Sequence, residues 1–191
     1  MTGTFIHDQK FENLSFQDKV LDPADYESCL FQKCNFSNSD LTDINLIDCI
    51  FEECNLSLTK LLNTSIREVR FINCKLLGLR FDDCNKLLIS FDFESCSIDL
   101  CSFNKLKLNN TRFKNSKFNE ADFTDADLKS SSFINCDLHR SIFKNTNLEK
   151  VDFRSSFNYS IDTDLNKINR AKFSLQGLPG LLDKFDIEIE K

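Results

Sequence analysis

From Phe11 onward a large apolar or aromatic residue falls at every fifth position: Phe16, Leu21, Tyr26, Phe31, Phe36, Leu41, Leu46, Phe51, Leu56, Leu61, Ile66, Phe71, Leu76 and Phe81. The rhythm resumes two residues out of phase at Phe93 and runs through Ile98, Phe103, Leu108, Phe113, Phe118, Phe123, Leu128, Phe133, Leu138, Phe143 and Leu148 to Phe153. A period of five matches neither the 3.6 of a helix nor the 2 of a strand, so the pattern predicts a repeat architecture in place of amphipathic elements. A second rule holds two residues before each centre, where the side chain is mostly small: Cys29, Cys34, Ser39, Cys54, Thr59, Thr64, Cys74, Ser116, Ala121 and Ala126 are examples, with Ile44, Leu79 and Leu106 as exceptions. The residue just before the centre is often Asp or Asn, as in Ala121-Asp122-Phe123-Thr124-Asp125.

This small-[Asp/Asn]-Leu/Phe-x-x pattern, covering roughly residues 11 to 153, closely resembles that of the pentapeptide-repeat family. The resemblance implies an all-β solenoid, a right-handed quadrilateral β-helix with four pentapeptides per square coil and both the centre and the small residue pointing inward. Residues twenty apart should then stack in columns. One column reads Phe11, Phe31, Phe51, Phe71, Phe93, Phe113, Phe133 and Phe153 throughout. It stays intact across the phase slip only if the two extra residues form a local bulge near residues 84–92. At about 4.8 Å per coil, about seven coils give a rod of about 34 Å. The expected organisation is an N-terminal tail over 1–10, frayed and without a clear cap, the β-helix over 11–157, and a C-terminal cap or dimerisation element over 158–191.

After Phe153 the rhythm stops, and Asn158 to Asp164 reads as a loop leaving the coil. Beyond it, Leu175, Leu178, Leu181, Leu182 and Phe185 share one helical face behind a candidate N-cap, Ser174, while Ile187 and Ile189 alternate with acids like a short strand. A cap over the last coil is one reading. The other is a homodimer interface, since the segment is similar to the tail through which topoisomerase-associated pentapeptide proteins join end to end, and its apolar stripe exceeds what a narrow rod needs.

Composition narrows the chemistry. Twenty Phe against two Tyr and no Trp among 191 residues point to rings chosen for shape, and four Gly with two Pro leave little for tight turns. The net charge of −6 and a pI near 5.0 disfavour direct nucleic-acid or anionic-lipid binding. No basic stretch followed by an apolar run opens the chain and no apolar run is of membrane-spanning length, so a cytoplasmic protein without a membrane partner is expected. The cysteines, odd at nine, all fall at the small inward position: Cys29, Cys34, Cys49, Cys54, Cys74, Cys96, Cys101 and Cys136, and also Cys84 if the first register runs on to Lys86. No C-x-x-C spacing suits zinc, and a buried free thiol acts as a small hydrophobe, so they read as structural. His7 and His139 stand apart from any nucleophile, and no phosphate-binding glycine motif occurs. No catalytic residue, metal site or cofactor is expected, and the chain reads as a non-enzyme.

The outward residues remain. The face around Leu21, Leu41, Leu61, Phe81, Phe103, Phe123 and Phe143 carries Asp22, Asp40, Asp43, Asp82, Asp83, Asp122 and Asp125, partly offset by Lys60, Arg80, Lys105 and Lys144. Acids along a narrow rod can imitate duplex phosphates and occupy a basic DNA-binding saddle; alternatively they only keep the rod soluble. The family resemblance implies the former, a DNA mimic that binds a type II topoisomerase such as gyrase and protects it from inhibitors. A scaffold for an unrelated protein partner is the alternative.

Overall fold

The computed structural model describes residues 4–19 and 21–190. Its strands are short because each turns a corner after three or four residues: β1 (Thr4–His7), β2 (Lys10–Glu12), β3 (Ala24–Glu27), β4 (Leu30–Gln32), β5 (Asn45–Ile47), β6 (Ile50–Glu52), β7 (Ser65–Arg67), β8 (Val69–Ile72), β9 (Phe91–Glu94), β10 (Arg112–Lys114) and β11 (Ser132–Ile134). All pair in parallel, β1-β3-β5-β7 on one face and the seven strands β2, β4, β6, β8, β9, β10 and β11 on the next. The remaining two faces are held by ladders of single bridges such as Asn35↔Asn55 and Ser102↔Asp122. Each coil thus hydrogen-bonds to its neighbours along the rod axis.

The register is the one the columns require. Phe11 pairs with Phe31, Phe31 with Phe51, Phe51 with Phe71, Phe71 with Phe93, Phe93 with Phe113 and Phe113 with Phe133. Rings within the column lie near-parallel, at 4.7 Å for Phe31–Phe51 and 4.4 Å for Phe113–Phe133, and meet adjoining columns edge-on, as Phe31 meets Phe36 at 76°. Stacking along the axis and edge contacts across it are both favourable aromatic geometries. The two extra residues fall between Asn85, still bridged to Ser65, and Phe91, paired with Val69. There Lys86, Leu87 and Leu88 turn outward while Ile89 points in, so the bulge stays on one face.

Most corners share one backbone solution. The second residue after the centre sits at positive φ, as in Asn38 (56°), Asp43 (60°), Asn73 (54°), Asp125 (57°) and Asn135 (52°), with Pro23, Asp83 and Ser155 as exceptions. Asn, Asp and Gly tolerate this left-handed region best, and no β-branched residue takes positive φ among the described residues. The corners therefore turn with four glycines in the whole chain.

The small inward residue does more than save space. Thr59 Oγ1 donates to the Phe36 carbonyl at 2.7 Å and Thr64 Oγ1 to Leu41 at 2.7 Å. Ser156 donates to Phe133 at 2.6 Å, and Cys54 Sγ to Phe31 at 3.2 Å. Each acceptor is a centre carbonyl of the coil below. Cys, Ser and Thr are interchangeable here because each is small and each carries a donor.

The structure corrects three sequence expectations about the ends. Residues 4–10 are no tail: β1 pairs with β3 throughout, Thr4↔Ala24 to His7↔Glu27, which brings Ile6 into the Tyr26 column. The coil also continues past Phe153. Tyr159 and Ile161 are buried, Asn147 bridges Lys167, Asp152 bridges Lys172, and Phe173 stacks on Phe153 at 5.4 Å. The segment from Asn158 to Asp164 interrupts the sequence rhythm but keeps the twenty-residue length, so the register returns. Lastly, the C-terminal segment forms two 3₁₀ helices, Leu175–Leu181 and Asp183–Phe185, with Pro179 inside the first, and Ile187 and Ile189 lie in irregular chain with no strand partner among the described residues. Ser174 does cap the first helix, accepting from Gly177 N at 3.2 Å.

Candidate functional site

The seven acids of the candidate face do not form one continuous strip. Asp40 and Asp43 share one coil, Asp122 and Asp125 a coil about 19 Å further along, four coils at the usual strand spacing. Between them the outward column passes through Lys60 and Arg80 to Ser102. Arg80 holds Asp82 at 2.8 Å and Asp83 at 3.1 Å; the Asp82 side chain is only 13% exposed, and Asp83, though 42% exposed, is neutralised by the same guanidinium. Lys60 approaches Asp40 at 3.7 Å. Hydrogen bonds from Thr42, its backbone N–H at 3.0 Å, hold the Asp40 carboxyl below the usual carboxylate range.

Asp43 accepts from Asn63 at 2.6 Å and Asp122 from the Thr124 N–H at 2.8 Å. Among the described residues no cation comes within 4 Å of Asp22, Asp43, Asp122 or Asp125. These four are the free acids of the face. On other faces charges of opposite sign stack between neighbouring coils, Lys114 with Glu94 at 2.6 Å, Lys129 with Glu149 at 3.0 Å and Arg140 with Glu120 at 3.4 Å. Such pairing relieves the like-charge columns that an exact stack would otherwise build.

The nine cysteines are buried and unpaired. Burial pushes Cys49 and Cys101 up to about 12 and Cys136 up to about 11, which keeps these thiols protonated and unreactive at neutral pH. Among the described residues no three His, Cys, Asp or Glu side chains converge on a metal position, and no helix is long and apolar enough to cross a membrane.

The C-terminal element divides into two roles. Its inner side seals the rod: the Tyr159 ring packs 5.6 Å from Phe153 and 5.8 Å from Phe173, Leu181 packs on the core, and Ile161 N donates to Gly180 O at 2.8 Å. Gly180 is required there, because a Cβ would sit 2.0 Å from the Tyr159 carbonyl oxygen. Lys184 ties the element to the coil through Asp162 at 2.7 Å and through Asp164. Its outer side leaves Leu175, Leu178, Phe185, Ile187 and Ile189 exposed, and with the half-buried Leu182 several of these line a groove of about 1040 Å³.

Sequence reasoning passed over another group. Leu58, Leu88 and Leu100 occupy positive-φ positions where polar residues otherwise predominate, and each is more than half exposed. Apolar residues at the second position after a centre would have marked them.

Comparisons with known proteins agree with this architecture. No curated protein matches the chain in sequence. Among solved structures, full-length QnrB1, a plasmid-mediated fluoroquinolone resistance protein, superposes with a TM-score of 0.68 at 16% identity over 93% of this chain and 100% of its own. A trypsin-treated variant of QnrB1 matches with a TM-score of 0.65 at 20% identity, over 100% of this chain and 93% of its own. At these identities the likeness is one of fold, a parallel β-solenoid with little helix. The family model for the pentapeptide repeat region matches residues 24–92 and 80–157. The two segments overlap across the bulge and together span well over half of the sequence, so the chain belongs to the pentapeptide repeat family.

Proposed function

We propose that this protein is a non-enzymatic interaction protein that binds a type II topoisomerase, gyrase in the first instance, as a DNA mimic, and that it protects the enzyme from inhibitors. The observation that carries the reading is the set of free carboxylates at Asp22, Asp43, Asp122 and Asp125 on one face of a rod. A fluoroquinolone resistance protein shares that rod over nearly its whole length. The exposed outer side of the C-terminal element supports a homodimer joined there, and a gyrase partner places the protein in the cytoplasm.

Gyrase supercoiling, with and without a quinolone, tests the reading. The expected outcome is inhibition or protection at micromolar protein that weakens at least about tenfold when Asp43, Asp122 and Asp125 are changed to Lys, since DNA-like binding rests on charge. No binding to the enzyme, or an effect indifferent to these changes, removes it. The alternative, a scaffold for an unrelated protein partner, is favoured by one observation: Arg80 and Lys60 break the acidic face in the middle. Retention of a different protein from a lysate, in place of gyrase, would select it.

A further inference from the structure

The outer side of the C-terminal element carries free charge of one sign only. Asp183, Asp186 and Glu190 line its groove together with Leu175, Leu178 and Leu182, and Glu188 stands exposed between Ile187 and Ile189. Among the described residues no cation comes within 4 Å of any of these four carboxylates. Lys184, the one base between Ser174 and Glu190, is turned back onto its own coil. Its ammonium meets Asp162 at 2.7 Å and also Asp164, and lies 5.1 Å from the centre of the Phe185 ring. The groove therefore has an apolar floor and an acidic rim, and none of its lining residues is a cation.

A two-fold joint sets this surface against an identical copy of itself. Whatever the angle between the rods, each acidic rim then faces a second one, and no lining residue of either copy can form an ion pair across the axis. The repulsion reaches about 30 Å at 10 mM salt, about 10 Å at 0.1 M and about 3 Å at 1 M. Contact between the leucine floors does not depend on unscreened charge. Resting on the homodimer described above, we propose that the end-to-end joint is gated by ionic strength. Carboxylate repulsion holds two rods apart in dilute salt, and screening lets the apolar floors close. The side of the rod responds in the opposite sense, because screening weakens any contact of Asp43, Asp122 and Asp125 with a basic surface. Assembly and partner binding thus trade against each other as salt changes.

Sedimentation of the full chain at neutral pH, from about 20 to about 500 mM sodium chloride, is the test. The dimer dissociation constant should tighten at least about tenfold over that range. Asp183→Asn, Asp186→Asn and Glu190→Gln together should bring the low-salt constant to the high-salt value, and Asn suits the φ of 48° at position 186. Lys at the same three positions inverts the rim. That variant alone should again associate only in salt, whereas its equimolar mixture with the parent should associate best in dilute salt and loosen as salt rises. All three positions are exposed, so the variants should keep the Tm of the parent. A parent dimer indifferent to salt or loosened by it overturns the gating and leaves the joint standing. So does a neutral variant that keeps the parent's salt dependence, or a mixture that behaves like its components. No dimer at any salt overturns the gating and the homodimer together.

Discussion

At the scale of single residues, each position of the five-residue unit is set by a different physical demand. The centre fills the core, the small residue donates to the coil below, and the second residue after the centre accepts positive φ. The first two demands were visible in the sequence as size and apolarity, although the donor role was not, because a one-dimensional pattern cannot show which carbonyl lies one coil away. The corner rule was equally hidden: it is a statement about what is missing, β-branched side chains, at one position in five. Two expectations follow. Thr64→Val keeps shape but removes a buried hydrogen bond to Leu41 and should cost about 1 kcal/mol in urea unfolding, whereas Thr64→Ser should cost less. Asn73→Val forces a β-branched residue to φ 54° and should cost about 1–2 kcal/mol in the same measurement.

At the scale of elements, the C-terminal segment shows where sequence reasoning stopped short. Helical spacing of Leu175, Leu178, Leu181 and Leu182 was legible, but Pro179 and the close approach of Gly177 and Gly180 to Tyr159 give 3₁₀ turns in place of a longer helix. In the coil below it Asn158 and Thr163 stand where centres belong, so the sequence predicts a departing loop, while Tyr159 and Ile161 fill the core from neighbouring positions. Docking of the segment should depend on pH. Lys184 holds the Asp162 carboxyl below its usual range, so the contact is fully present above the ordinary carboxylate pKa near 4 and is lost as pH falls through the lowered value. Protection of the Ile161 amide, taken against its intrinsic exchange rate at each pH, should therefore fall on acidification below about pH 4, and the effect should vanish in Lys184→Met. Gly180→Ala should undock the segment at all pH values, read by the same amide.

At the scale of the whole molecule, the all-Phe column was enough to give the coil and the register and to confine the bulge to residues 84–92, since one misplaced residue would have broken it; its place between Asn85 and Phe91 comes from the bridges on either side. The acidic face was legible only as a list of aspartates. Which of them are free depends on Arg80 and Lys60, whose reach the sequence does not show. The dimer is best tested by light scattering with Leu175→Asp and Leu178→Asp, because Leu181 is committed to the core of its own chain. A dimeric parent and a monomeric, fully folded double variant are expected; a parent that stays monomeric at high concentration rejects the interface.

The donor at the small position has a consequence for how such a rod behaves under load. Ladder hydrogen bonds and the Thr, Ser and Cys side-chain bonds all run along the axis, so the rod is stiffest across its faces and weakest between coils. A pull on the two ends would load these bonds one layer at a time and peel coils off in steps of twenty residues. Single-molecule extension should accordingly show a regular sawtooth, with one longer step where the bulge adds two residues.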